Sequence, residues 1–288
     1  MTRYETLVAQ WRRNLPPGLV VGGGLIVALT LIALFAPQLA PHNPATLFPN
    51  GLTAAGTPLP PSRVFPLGTD AYGRDELSRL LYGGRVTLLI AGVSGFFATA
   101  IGTVVGIASA YWEGFWGNLI ARFTDIVMSL PVTLLAIAMV MVTEPNLGSL
   151  IGVIVFVSWS YTARLIRQEV LTIREAEYVA MARALGARDL RVMAVHVLPQ
   201  VIRTAVARFT LTVSQVVLLA SGLSFLGAGV QSPQVDWGLM IAQAQNYYSS
   251  DPSLMFWPGL AIILTVAAFS MTGEALAEQL SRTPKVRR

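Results

Sequence analysis

REAEYVAMARALGARDLRVMAVHVLP, residues 174–199, is a basic, helix-prone segment set between two apolar runs, each long enough to cross a bilayer. Residues 175–185 are rich in Ala, Met, Leu, Glu and Arg, all good helix formers. Gly186 supplies a C-terminal stop. Asp189 caps or starts a second short helix that runs to Val197, where Pro199 ends it. Ala180, Ala184 and Ala187 lie near one stripe, so a partner can approach the backbone closely. Val179, Met181 and Leu185 add apolar contact, while Glu177 and Arg183 supply charge at the rim. Pattern alone leaves two readings of this hairpin side by side. One is an amphipathic helix lying on the membrane against anionic lipid; the other is a docking element gripped from the cytosol.

The setting is a membrane. Of 288 residues 54% are hydrophobic and only 12% charged, with a mean hydropathy of +0.61. A soluble domain usually carries about 25% charged residues, so too little polar surface is left to cover a water-soluble body. The absence of cysteine excludes disulfides and thiolate metal sites, and two histidines, His42 and His196, leave little scope for an imidazole centre. No metal or other cofactor is expected. The net charge of +5 sits beside apolar spans, where it fixes orientation, rather than on a face of its own as in a nucleic-acid binder.

Six segments approach the roughly 20 apolar residues a spanning helix needs: 18–40, 85–111, 119–142, 147–161 with its flanks, 206–230 and 256–277. The first is read as a retained anchor, because it exceeds the h-region of a cleaved signal and lacks a small-x-small site. Pro131 is expected to kink the third. Arg3, Arg12 and Arg13 precede the first span, and Arg282, Lys285, Arg287 and Arg288 follow the last, which places both termini inside. The stretch 164–208, which links spans four and five and reaches into the fifth, carries eight arginines against four acidic residues and is expected to face the same side. The expected organisation is a cytosolic segment 1–17, a six-helix membrane domain 18–280 and a cytosolic tail 281–288. Within that domain lie an outer loop 41–84, the cytosolic loop 168–203 and an outer segment 231–255. The fold class is all-α integral membrane protein.

Catalysis fits poorly. The single lysine, Lys285, is not part of a phosphate-binding loop, so any nucleotide that drives work belongs to another chain. Gly92-Val93-Ser94-Gly95 is a weak serine site without a histidine at its depth, and small residues at Gly18/Gly22, Gly102/Gly106 and Gly148/Gly152 suit helix packing instead. The remaining rival is an ion-coupled secondary transporter or channel, for which only Asp125 and Glu274 offer coupling groups.

The hairpin's spacing resembles the EAA loop of ABC importer permeases: E-A-A, three residues, G, nine residues, then I-x-L-P. Its positions correspond to Ala180-Met181-Ala182, Gly186, His196 and Leu198-Pro199, so the signature Glu is Ala180 and the Ile is His196. Residues 65–75, FPLGTDAYGRD, are similar to the F-G-T-D-x-x-G-R-D stretch of the dipeptide/oligopeptide/nickel permeases, carrying Gly68, Thr69, Asp70, Gly73, Arg74 and Asp75. SFLGAGVQ at 224–231 with Trp237-Gly238, and FWPGLAI at 256–262, continue the likeness to a "C" type permease. The resemblance implies a type I ABC importer bundle in a bacterial inner membrane, multi-pass, with a cytosolic coupling helix. It further implies a second permease as heterodimer partner, two cytosolic ATPase subunits, an extracytoplasmic solute-binding protein, and dipeptide or oligopeptide transport, with nickel or glutathione as alternatives. The coupling residues on this reading are Glu177, Tyr178, Val179, Ala180, Met181, Ala182, Arg183, Ala184, Leu185, Gly186, Ala187, Asp189, Leu198 and Pro199.

Three further expectations concern single groups. Asp125 is read as pairing with Arg122, three residues away. Asp70 and Asp75 are read as caps of a short helix 75–81. Trp237, Tyr247, Tyr248 and Trp257 are read as an aromatic belt at the outer membrane edge.

Overall fold

Apolar runs punctuated by proline and glycine become a bundle of long helices. The computed structural model describes residues 16–112, 114–143 and 146–281, with backbone alone at 189, 190 and 281; the basic residues of both termini lie outside the described residues. No β-strand occurs among them, only two isolated bridges, Leu52 with Pro58 and Thr69 with Asp75. Helix α1 (Pro17–Leu34) opens on a proline, whose missing N–H is no loss in a first turn, and breaks at Phe35 into α2 (Ala36–Leu39). Helix α3 (Glu76–Tyr111) is followed by α4 (Phe115–Ser129), α5 (Val132–Val142) and α6 (Leu147–Arg174). Then come α7 (Glu177–Ala184), α8 (Asp189–Val192), a π-turn (Met193–Val197) and α9 (Leu198–Phe225). Helix α10 (Trp237–Ala244) and α11 (Ser253–Ser281) complete the chain.

Five helices are long and apolar enough to cross a membrane, or six if α4 and α5 count as one bent span. The sequence suggested a kinked third span; the structure has two helices meeting at 90°. Pro131 forces Leu130 into extended backbone (φ −86°, ψ 139°), so the helix ends at Ser129 and restarts on a new axis. The second span also begins earlier than expected. The first turns, read as a separate short helix, run unbroken into α3, with Asp75 as its cap.

Small residues hold the bundle together, as membrane helices require in the absence of a hydrophobic drive between them. A Cβ on Gly102 would meet Trp159 O at 2.5 Å and one on Gly106 would meet Ala163 O at 2.7 Å, so α3 and α6 pack backbone to backbone. Gly22 seats α1 on α11 beside Thr272 and Ala268 in the same way. Gly152 meets nothing within 4 Å, so the third small-residue pair is not an intrachain contact. The main core gathers Ile90, Ile154, Val157, Val217 and Leu223 from α3, α6 and α9. A second cluster, of Ile166, Val170, Ile173, Val179, Val192, Val197 and Val201, lies under the hairpin.

Candidate functional site

The hairpin emerges where α6 ends at Arg174, and its first helix, α7, follows after two residues. Gly186 then turns the chain at φ +85°, a left-handed conformation that favours glycine because a Cβ would crowd the carbonyl. The backbone N–H of Gly186 donates to Arg183 O and that of Ala187 to Ala182 O, which satisfies the helix C-terminus. Side chains divide sharply. Val179 is fully buried in the second cluster, whereas Met181 is 66% and Leu185 88% exposed. Glu177, Tyr178, Ala180, Arg183 and Ala184 are also exposed, with Ala182 and Ala187 half-buried. Val179 was expected to offer apolar contact to a partner; it anchors the hairpin to its own bundle instead, because the helix must seat one apolar side chain inward. Tyr178 ties α7 to the chain beyond: its hydroxyl accepts from Gln200 Nε2 at 2.8 Å, and its ring meets His196 edge-on at 5.7 Å.

Pro199 does not end a helix. The π-turn just before it places the Leu198 N–H on Met193 O, five residues back, and the helix continues into α9. A proline lacks the N–H for the next bond, and the widened turn absorbs its ring. Leu198 and Pro199 are exposed on this continuous run. The Asp189 side chain, expected to cap a second helix, lies outside the described residues.

Ahead of α3, the Gly68–Asp75 stretch folds into a buried charge network. Asp70 Oδ2 accepts from Arg74 Nε at 2.7 Å and lies 3.1 Å from Arg79 Nε. Gln243 Oε1, on α10, accepts from Arg74 at 3.0 Å and Arg79 at 2.7 Å. Asp70 is thus an ion-pair centre rather than a helix cap. Asp75 does cap α3, accepting from Ser78 N at 3.0 Å. Thr69 Oγ1 donates to Gly51 O at 2.6 Å, and Gly73 lies against Gly51 so closely that a Cβ on Gly51 would reach Gly73 O at 2.3 Å. The motif residues are brought together as a clasp between loop, α3 and α10. Trp237 belongs to this clasp as well. It is 4% exposed, its Nε1 donates to Leu80 O at 3.0 Å, and it fills the space over Gly83 and Gly84. It therefore leaves the expected aromatic belt, because a ring facing two glycines packs better than one facing lipid headgroups. Tyr248 remains exposed.

Asp236, the N-cap of α10, accepts from Leu239 N at 2.8 Å and from the Ser224 hydroxyl. Burial pushes its carboxyl up from the usual 3.8 to about 6, against the pull of those hydrogen bonds. The folded state therefore keeps a proton that the unfolded chain has released, and this contribution, about 3 kcal/mol, is present below the unfolded value and lost as pH rises through 6. Thermal unfolding in detergent should show stability falling between pH 4 and 6, roughly the interval between the two values, and Asp236→Asn should flatten that portion.

Asp125 pairs with Arg164 of α6 at 3.8 Å, not with Arg122 as the sequence suggested. Spacing along one helix favours Arg122, but the neighbouring helix brings Arg164 into reach of the carboxylate. Sequence reading also passed over a polar cleft between α6 and α9 that holds Ser158, Tyr161, Thr212 and Gln215. Its signal was the recurrence of polar residues at helical spacing within two otherwise apolar spans.

Helices of membrane-spanning length, with a helical hairpin at one end of the bundle and a polar clasp at the other, define an integral membrane protein. The chain belongs to the family described as the binding-protein-dependent transport system inner membrane component, whose model matches residues 102–286. A second model, the N-terminal TM domain of oligopeptide transport permease C, matches residues 10–61. It is 34% identical over 278 residues to the glutathione transport system permease protein GsiD of Pectobacterium atrosepticum, covering 96% of this chain and 90% of that one. It is 38% identical over 268 residues to the di/tripeptide transport system permease protein DppC of Pseudomonas aeruginosa, covering 92% and 88%. Inward-facing structures of the MetNI methionine ABC transporter share the fold, with a TM-score of 0.58 at 20% identity over 72% of this chain and 98% of that chain. This protein is thus a C-type permease subunit of a dipeptide/glutathione-family ABC importer. It is a transport subunit, and ATP hydrolysis in such importers belongs to partner ATPases.

Proposed function

We propose that the chain forms one half of a peptide-conducting pathway, paired with a different permease and fed by an extracytoplasmic solute-binding protein. Its termini and residues 168–203 face the cytosol, α7 docks in a groove of the ATPase, and the broken α4–α5 pair counts as one of six crossings. The observation that carries this reading is the division of α7: Val179 is locked inward while Met181 and Leu185 stand out at 66% and 88% exposure. Exposed apolar side chains on a projecting helix, rimmed by Glu177 and Arg183, suit a protein groove. The di/tripeptide and glutathione names of the relatives support a substrate class of short peptides.

Met181→Glu with Leu185→Glu should release the ATPase from the purified complex, and each loss is of the order of 2 kcal/mol if the residue is an anchor. Peptide uptake should fall at least about tenfold while the permease still folds, because both side chains are exposed. Undiminished uptake with the ATPase still bound would assign the hairpin to the membrane surface instead.

A further inference from the structure

The cleft between α6 and α9 has a volume of about 280 Å³ and is walled by Ser158 and Tyr161 on one side and Thr212 and Gln215 on the other, with Val132 of α5 at its edge. That volume is near the lower end of small-ligand pockets, about 300 Å³, as suits one half of a shared passage. Arg208 stands one turn before Thr212 on α9 and donates to Gln215 Oε1 at 3.3 Å. Among the described residues no carboxylate lies within ion-pair distance of Arg208. Arg208 Nε and Thr212 Oγ1 are buried and have no hydrogen-bond partner.

A guanidinium cannot shed its charge, so this one cannot be neutralised to suit an apolar setting. Ionisable groups inside spans face a water-filled cavity or a partner, since lipid chains satisfy neither charge nor hydrogen bond. Here Gln215 links the charge to the cleft wall, and Thr212, one turn from Arg208, brings an unmet hydroxyl to that wall. They match an anion with several acceptor oxygens, which a planar fork binds well. We propose that Arg208, steadied by Gln215, binds the side-chain carboxylate of an acidic peptide as it passes the cleft and biases the pathway toward anionic substrates. This inference rests on the reading of the chain as half of a peptide importer.

The test is uptake of alanylglutamate and alanyllysine by cells carrying the complete transporter with wild-type chain, Arg208→Gln, Arg208→Lys or Gln215→Leu. Arg208→Gln should lower alanylglutamate uptake about tenfold relative to alanyllysine, the effect of one charge-assisted contact. Arg208→Lys should keep the ratio within about threefold of wild type, and Gln215→Leu should shift it in the same direction as Arg208→Gln but less. The ATPase should still copurify with each variant. Equal loss for both peptides, or an unchanged ratio, overturns the inference and assigns Arg208 to an acidic group of the partner permease or to packing. If Arg208→Gln fails to assemble, Gln215→Leu decides by the same ratio. Wild-type cells that take up neither peptide sink the importer reading itself, an outcome visible without any substitution.

Discussion

Asp70→Ala should destabilise the clasp between the loop, α3 and α10 by about 3–5 kcal/mol, the usual cost of stranding a buried charge. Arg74 is 7% exposed and Arg79 only 2%, so neither guanidinium of the network has water to turn to. Oδ2 serves Arg74 and Arg79, while Oδ1 accepts from the backbone N–H groups of Tyr72 at 2.8 Å and Arg74 at 2.9 Å. Removing the side chain leaves Gln243 Oε1 as a shared neutral acceptor for both cations. Asp70→Asn retains an oxygen for the backbone and should fall between wild type and Asp70→Ala. Yield and thermal stability of the purified protein give the measurement, and pairing Asp70→Ala with Arg79→Leu should cost less than the sum of the two. That non-additivity is the mark of one network rather than two separate contacts.

Gly102→Leu should be nearly as damaging, about 3 kcal/mol, because overpacking here meets backbone rather than a flexible side chain. The first added carbon would lie 2.5 Å from Trp159 O, 2.6 Å from Thr162 Cβ and 3.0 Å from Ala163 N. Helices α3 and α6 would have to separate, which also disturbs the Arg174 hydrogen bond to Ala110 O beneath the hairpin. Gly92→Leu is the control: nothing lies within 4 Å of a Cβ there, so this substitution should leave the monomer's stability unchanged. Circular dichroism melts of both variants in one detergent compare them directly.

Much of this architecture was legible before any coordinates. Apolar length and flanking arginine mark the spans, and the run from Glu177 to Pro199 could be singled out because helix formers, a glycine and basic charge coincide there. What escaped was everything decided between elements. Pro131 announces a break but not its angle, since the angle depends on which neighbours α4 and α5 pack against. Trp237 reads like a membrane-edge aromatic until Gly83 and Gly84, more than a hundred residues away, vacate a seat for it. Asp125 has a plausible partner within its own helix, yet takes one from the next. Val179 and Met181, two positions apart, look equally available in one dimension; burial separates them only once the valines of α6 and α9 are in place.

The unbroken helix through the π-turn carries a mechanical consequence. From Met193 to Phe225 there are 33 helical residues without an intervening loop, and α6 reaches Arg174 on the opposite limb in the same manner. The two walls of the polar cleft therefore lie partway along two stiff rods whose near ends are joined by the hairpin. Rods so joined behave like the arms of a pair of tongs. A tilt imposed at the hairpin would not be absorbed by slack chain but would reappear, displaced by roughly four turns of helix, as a change in the gap between Tyr161 and Gln215.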